Sequence, residues 1–177
     1  MARCGEYILG LKAVLTKDLN WVLRKLFCGR HLEGKTVSIL ADGAVHPQRV
    51  VSGGAITLDQ AASKVQVGLP ITADLQTLPL AAQIDNAFGQ GRAKNVNKAW
   101  LRVYRSSGIF IGPSLDSMTE AKQRSTESYG TPPALKSEEI QIMLTPSWAD
   151  SGQVFIRQSD PLPLTVVSIT AEVAMGG

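Results

Sequence analysis

Through the last third of the chain, apolar and polar residues alternate at a spacing of two, the period of a strand with one buried face. Ile140, Ile142 and Leu144 share one face between two glutamates and the Thr145-Pro146 pair, which predicts a half-buried strand. Ala149-Asp150-Ser151-Gly152 then supplies residues that bond their own backbone or accept positive φ, so a reversal is expected ahead of a second strand at 154–157. In that strand Val154 and Ile156 face one way, Phe155 and Arg157 the other. Pro161 and Pro163 lack the amide hydrogen a ladder needs and end it. A third strand, 165–173, is rich in Val, Ile and Thr, whose branched side chains suit a pleated surface. Simple alternation sets Val167, Ile169 and Ala171 on its apolar face and Val166, Ser168, Thr170 and Glu172 on its wet one. This is the signature of antiparallel sheet covered on one side.

The stretch 31–69 has the turn spacing of a small antiparallel meander. Thr36, Val37, Ile39 and Leu40 form one run, Asp42-Gly43 gives the two-residue hairpin signal, and 45–51 returns. Ser52-Gly53-Gly54 turns again before short runs at 55–58 and 64–67, and strands so closely spaced usually close into a barrel or sandwich. A soft domain boundary is expected between Gly68 and Asp85. Residues 81–98 read as a connection with a short helical turn at 81–88 and a flexible Gly89-Gln90-Gly91. In the run at 100–105, alternation turns Leu101 and Val103 inward and Trp100, Arg102 and Tyr104 to the opposite face. A short run at 109–111 follows, and the polar stretch 114–136 is long enough to be an exposed arm or interface excursion.

The first thirty residues differ. Ile8, Leu11, Leu15, Leu19, Val22 and Leu26 recur every three or four positions among Lys12, Lys17, Asp18, Arg24 and Lys25, which predicts an amphipathic helix over 1–30. Packing on its own protein or on a sister subunit is the expected use of such a helix.

Composition narrows the functions. At 177 residues and 44% hydrophobic, the chain fits one ordinary domain or two small ones with real cores. A net charge of +3 from 18 basic and 15 acidic residues gives little support to a general nucleic-acid or membrane affinity. No apolar run approaches the ~18 residues of a membrane span, and no secretory signal is evident at the start. Cys4 and Cys28 read as reduced thiols, and neither they nor His31 and His46, read as surface or turn histidines, have zinc-site spacing. Gly89-Gln90-Gly91 lacks the third glycine and the lysine-serine pair of a phosphate loop. Asp116, Glu120 and Glu127 read as a solvated face, and no serine, histidine and carboxylate form a recognisable triad. No cofactor, metal site or enzymatic activity is expected.

One constellation stands out: Arg92, Lys94, Lys98, Arg102 and Arg105 interleaved with Trp100 and Tyr104. Basic groups beside aromatic faces bind single-stranded nucleic acid by charge neutralisation and stacking. The same residues on an exposed sheet face are equally those enriched in protein interfaces, and the interface is the preferred expectation.

The phrases VGLPITADLQTLPL (67–80), GQGRAKNVNKAWLRVYRSSG (89–108) and SGQVFIRQSDPLPLTVVSITAEV (151–173) resemble the C-terminal part of tail nozzle or hub proteins of short-tailed bacteriophages and their prophage remnants. The resemblance covers 31–177. Several such proteins contain a small β-barrel likened to the FCCH domain of ubiquitin-activating enzymes. The resemblance implies a structural virion component, a ring-forming subunit around the path by which DNA leaves. Its partners would be copies of itself and other tail or portal-adaptor proteins, with transient passage of DNA. Its location would be the virion tail, and the host cytoplasm during assembly. The expected architecture is all-β: a helical segment at 1–30, a small FCCH-like antiparallel barrel at 31–75 and an antiparallel β-sandwich at 76–177.

Overall fold

In a computed structural model of the chain, the residues described are 23–27, 30–81, 83–84, 87–88, 91–122, 127–128 and 130–176. Over these the protein is all-β, with several antiparallel sheets and one 3-10 turn at Arg30–Leu32. The chain divides into two compact units. One takes in the described residues up to Ile71 and those between Thr126 and Pro133; the other holds the rest from Thr72 onward.

The first unit contains β1 (Leu23–Phe27), β2 (Thr36–Ala41), β3 (Ala44–Val50), β4 (Ala55–Ala62) and β5 (Val65–Gly68). The β2–β3 hairpin turns on Asp42 and Gly43, whose φ values of 47° and 87° are those of the tight turn that matches strand twist. The Asp42 carboxylate accepts hydrogen bonds from the Ser63 hydroxyl at 2.8 Å and from the Ser63 and Lys64 amides at 2.9 and 2.6 Å. The side chain that forms one turn thus fastens the turn between β4 and β5. The sheet order is β3-β2-β5, while β4 pairs with β1, so the strands do not follow the sequential order of a simple meander. Val37, Ile39, Val51, Ile56, Leu58, Val65 and Val67 fill one core.

At Leu23–Phe27 the chain is an extended strand rather than the helix that its three-to-four spacing predicts. Pairing with β4 supplies backbone bonds that override a local periodicity, as tertiary context commonly does. Arg30 begins the 3-10 turn, and the remainder of the expected helix, with Cys4 and Cys28, lies outside the described residues. His46 is another correction. It is buried in β3, with Nδ1 against the Pro47 carbonyl at 2.8 Å and Nε2 accepting the Asp59 amide at 2.9 Å, rather than lying at a surface or turn.

The second unit contains β6 (Ala73–Gln76), β7 (Gln83–Ile84), β8 (Ala87–Phe88), β9 (Lys94–Val103), β10 (Phe110–Ser114), β11 (Ser117–Glu120), β12 (Glu139–Met143), β13 (Phe155–Gln158) and β14 (Val166–Met175). Two sheets, β11-β10-β13-β6 and β12-β9-β14, send Ile111 and Ile156 from one and Leu101, Ile140 and Ile142 from the other into a single core. Across β13 and β6, Arg157 meets Asp74 in register and grips it with two bonds of 2.7 and 2.9 Å. Where a helical turn is expected at 81–88, the described residues Gln83–Ile84 and Ala87–Phe88 form the β7–β8 pair, and the end of the expected connection, from Lys94 to Lys98, belongs to β9. The polar stretch from Ser114 begins inside β10 and includes β11.

A bulge decides which valine of β14 is buried. Val166 lies opposite Val103 and Ser168 opposite Arg102, so Val167 is an extra residue on the bulged strand. Val166 therefore packs on the core and Val167 is 61% exposed, the reverse of simple alternation. Ile169, Ala171 and Val173 face the core. A second irregularity, opposite Glu172 and Val173, lets both Val96 and Ala99 of β9 point inward although three positions separate them.

Candidate functional site

The central strand β9 carries most of the residues singled out from the sequence, and its alternation sorts them. Leu101 and Val103 are buried, while Arg102 is exposed, Trp100 half-buried and Tyr104 58% exposed. Arg92 and Arg105 are exposed beyond the two ends of the strand. Arg105 sits at φ 45° with its amide donating to the Ser137 hydroxyl at 2.9 Å.

Lys94 does not join this surface. It is 1% exposed, and its Nζ donates to the carbonyls of Arg92 at 3.1 Å and Asp150 at 2.7 Å. Its backbone forms an antiparallel bridge with Ala149, and the Cβ that Gly152 lacks would come within 3.0 Å of its stem. Lys94 thus acts as a clamp for the 149–152 loop, a role that charge patterning alone does not reveal.

The neighbours of β9 complete the face. Directly opposite residues in an antiparallel sheet project to the same side. Rows across β12, β9 and β14 therefore read Glu139-Arg102-Ser168, Gln141-Trp100-Thr170 and Met143-Lys98-Glu172. Every flanking member of these rows is exposed, Met143 at 70%. Lys98 Nζ lies 3.6 Å from a Glu172 carboxylate oxygen, and Arg102 stands beside Glu139 in register. Two cations and two carboxylates cancel, leaving a mixed aromatic and polar patch with no net charge. The alternation in β12 and β14 marks these flanking residues as outward. Only strand order, which local sequence does not encode, puts them beside Trp100 and Arg102.

A groove of ≈ 400 Å³ in the first unit is lined by Arg49, Val50, Ser52, Ala55, Ile56, Thr57 and Asp59. Its charged groups are already engaged, because the Arg49 guanidinium pairs with Asp59. The nearby His46 Nε2 accepts the Asp59 amide and so has no lone pair to offer as a base. Among the described residues no three His, Cys, Asp or Glu side chains cluster as metal ligands would, and no helix is long and apolar enough to cross a membrane.

No protein-family model matches the chain, and no curated protein is similar to it at a significant level.

Proposed function

We propose that this protein is a structural subunit of a bacteriophage or prophage tail, a nozzle or hub component that self-associates into a ring around the DNA exit path. The observation that carries the reading is the outer face of β12-β9-β14: Trp100 and Tyr104 beside Lys98 and Arg102, with Glu139 and Glu172 in the same rows. Aromatic residues and arginine are enriched in protein interfaces. Cations already matched by carboxylates release few counterions on meeting phosphate, which disfavours nucleic-acid binding by this face. It also suits a conduit from which DNA must leave quickly. The three phrases resembling tail proteins supply the class, and they include β9 and β14 as far as Val173.

In this reading the first unit is the small FCCH-like barrel and the second the β-sandwich, both serving to hold surfaces rather than a reactive cleft. The partners are further copies of the chain and adjoining tail or portal-adaptor proteins, in the virion tail and, during assembly, in the host cytoplasm. Mass spectrometry of purified particles from cells carrying the sequence tests the assignment. Peptides of this chain co-purifying with the tail are expected, and their absence from particles that retain the other tail proteins would overturn it. The competing reading, a nucleic-acid-binding module on the same face, requires salt-dependent DNA binding that the double substitution Trp100→Ala, Arg102→Ala abolishes.

A further inference from the structure

The outer edge of β14 is unused by the function proposed above. Val103 N donates to Glu138 O and Leu144 N to Asn97 O, each at 3.0 Å, which fixes the odd-numbered residues of β9 as those bonded to β12. Between Lys98 and Arg102 the even-numbered residues of β9 therefore face β14, where Arg102, Trp100 and Lys98 pair with Ser168, Thr170 and Glu172. Ile169, Ala171 and Val173 consequently turn their N–H and C=O groups to the opposite side. Among the described residues no strand lies there, because the sheet ends at β14. The strand is ten residues long and contains neither proline nor lysine, the residues that ordinarily blunt such an edge.

We propose that this edge pairs antiparallel with β14 of a second copy, about a two-fold axis at Thr170, so that β12-β9-β14 continues into β14-β9-β12 of the second copy. The argument for a second copy is that the strand complements itself in this register. Thr170 meets its own counterpart, Ser168 meets Glu172 of the second copy and can donate its hydroxyl to that carboxylate, and Ile169 meets the small Ala171 on the core side. The two Glu172 side chains stay apart. Moving the axis to Ile169 would bring the bulged Val167 in to stand opposite Ala171, leaving only 168–170 in regular pairing. The contact is one strand wide, well below the ~1,200 Å² of a standard stable interface, so association is expected in the micromolar range or weaker. This pairing does not rest on the tail reading. It is isologous, whereas a ring needs a head-to-tail contact, and the two together would build a dihedral assembly of paired rings.

Thr170 at the axis occupies a non-hydrogen-bonded pair, where Cα atoms approach to about 4.5 Å, within disulfide range. In the full chain carrying Cys4→Ser and Cys28→Ser, Thr170→Cys is expected to form a disulfide-linked dimer under mild oxidation at least tenfold more efficiently than Leu78→Cys, which is exposed after β6 and away from the β12-β9-β14 face. Sedimentation supplies the second arm. On the Trp100→Ala, Arg102→Ala background, which removes the face assigned to the ring, the chain is expected to dimerise with rising concentration, the further change Thr170→Lys or Thr170→Glu to leave it monomeric, and a mixture of those two to recover a heterodimer. Equal cross-linking at the two positions, a background chain that never dimerises, or a dimer that persists with Thr170→Lys would overturn the proposal.

Discussion

At the scale of single residues, three positions hold the second unit and the first hairpin by contacts with no substitute. Gly112 leaves no room for a side chain, since a Cβ there would lie 2.0 Å from the Ser117 carbonyl oxygen in the adjacent strand. Gly112→Ala is therefore expected to cost about 3 kcal/mol or more, read as a lowered denaturation midpoint, because a backbone atom must move. Ser106 is fully buried; its hydroxyl donates toward the carbonyls of Tyr104 and Thr165 at 2.8 and 3.1 Å and accepts the Thr165 amide at 2.8 Å. Ser106→Ala removes the partner of the Thr165 amide and leaves a buried site without its hydroxyl, an expected loss of about 2 kcal/mol by chemical denaturation. The amides and hydroxyl that converge on Asp42, the Ser63 amide foremost, hold its carboxyl below the ordinary value of 3.8. A depressed carboxyl contributes stability that is complete above the unfolded value and lost as pH falls through the folded one. Acid denaturation of the wild type should therefore be steeper below about pH 4 than that of Asp42→Asn. Burial pushes the Asp160 carboxyl the other way, so its contribution weakens as pH rises above 3.8.

At the scale of elements, the bulge in β14 gives the clearest test of how the sheet is built. Val166 packs on the core and Val167 does not. Val166→Asp is expected to destabilise the fold by about 1–3 kcal/mol, whereas Val167→Asp should stay within about 0.5 kcal/mol, in thermal or denaturant unfolding. The reverse ranking would mean an unbroken ladder. The same strand shows what was legible in the sequence. Where alternation runs uninterrupted, as in β12 and β13, it puts Ile140, Ile142, Leu144, Val154 and Ile156 in the core, and all are buried. The Asp42-Gly43 turn is likewise written in two residues. A bulge is set by pairing with a neighbour, so no local pattern announced the exchange between Val166 and Val167. For the same reason the spacing of Val22 and Leu26 suggested a helix over a stretch that includes Leu23–Phe27, which long-range pairing with β4 makes a strand. Nothing in the charge pattern sets Lys94 apart from its basic neighbours, because a burial compensated by two backbone carbonyls leaves no mark there. On the candidate face, the outward set on β9 was legible from alternation, but the carboxylates of Glu139 and Glu172 that balance it were not.

At the scale of the whole molecule, each of the two β-units has its own apolar core, and among the described residues no three His, Cys, Asp or Glu side chains cluster as metal ligands would. The proposed work of such a protein is contact, and the contact is assigned to the Trp100, Arg102 and Tyr104 face. The most direct measurement is the mass distribution of the purified chain over a range of concentrations, by sedimentation velocity, for the wild type and for Trp100→Ala with Arg102→Ala. The expected result is a closed oligomer of defined mass larger than a dimer, which the double substitution reduces at least tenfold in abundance while leaving the circular dichroism of the fold unchanged. A wild-type chain that stays monomeric at high concentration, or an oligomer indifferent to both substitutions, would contradict it.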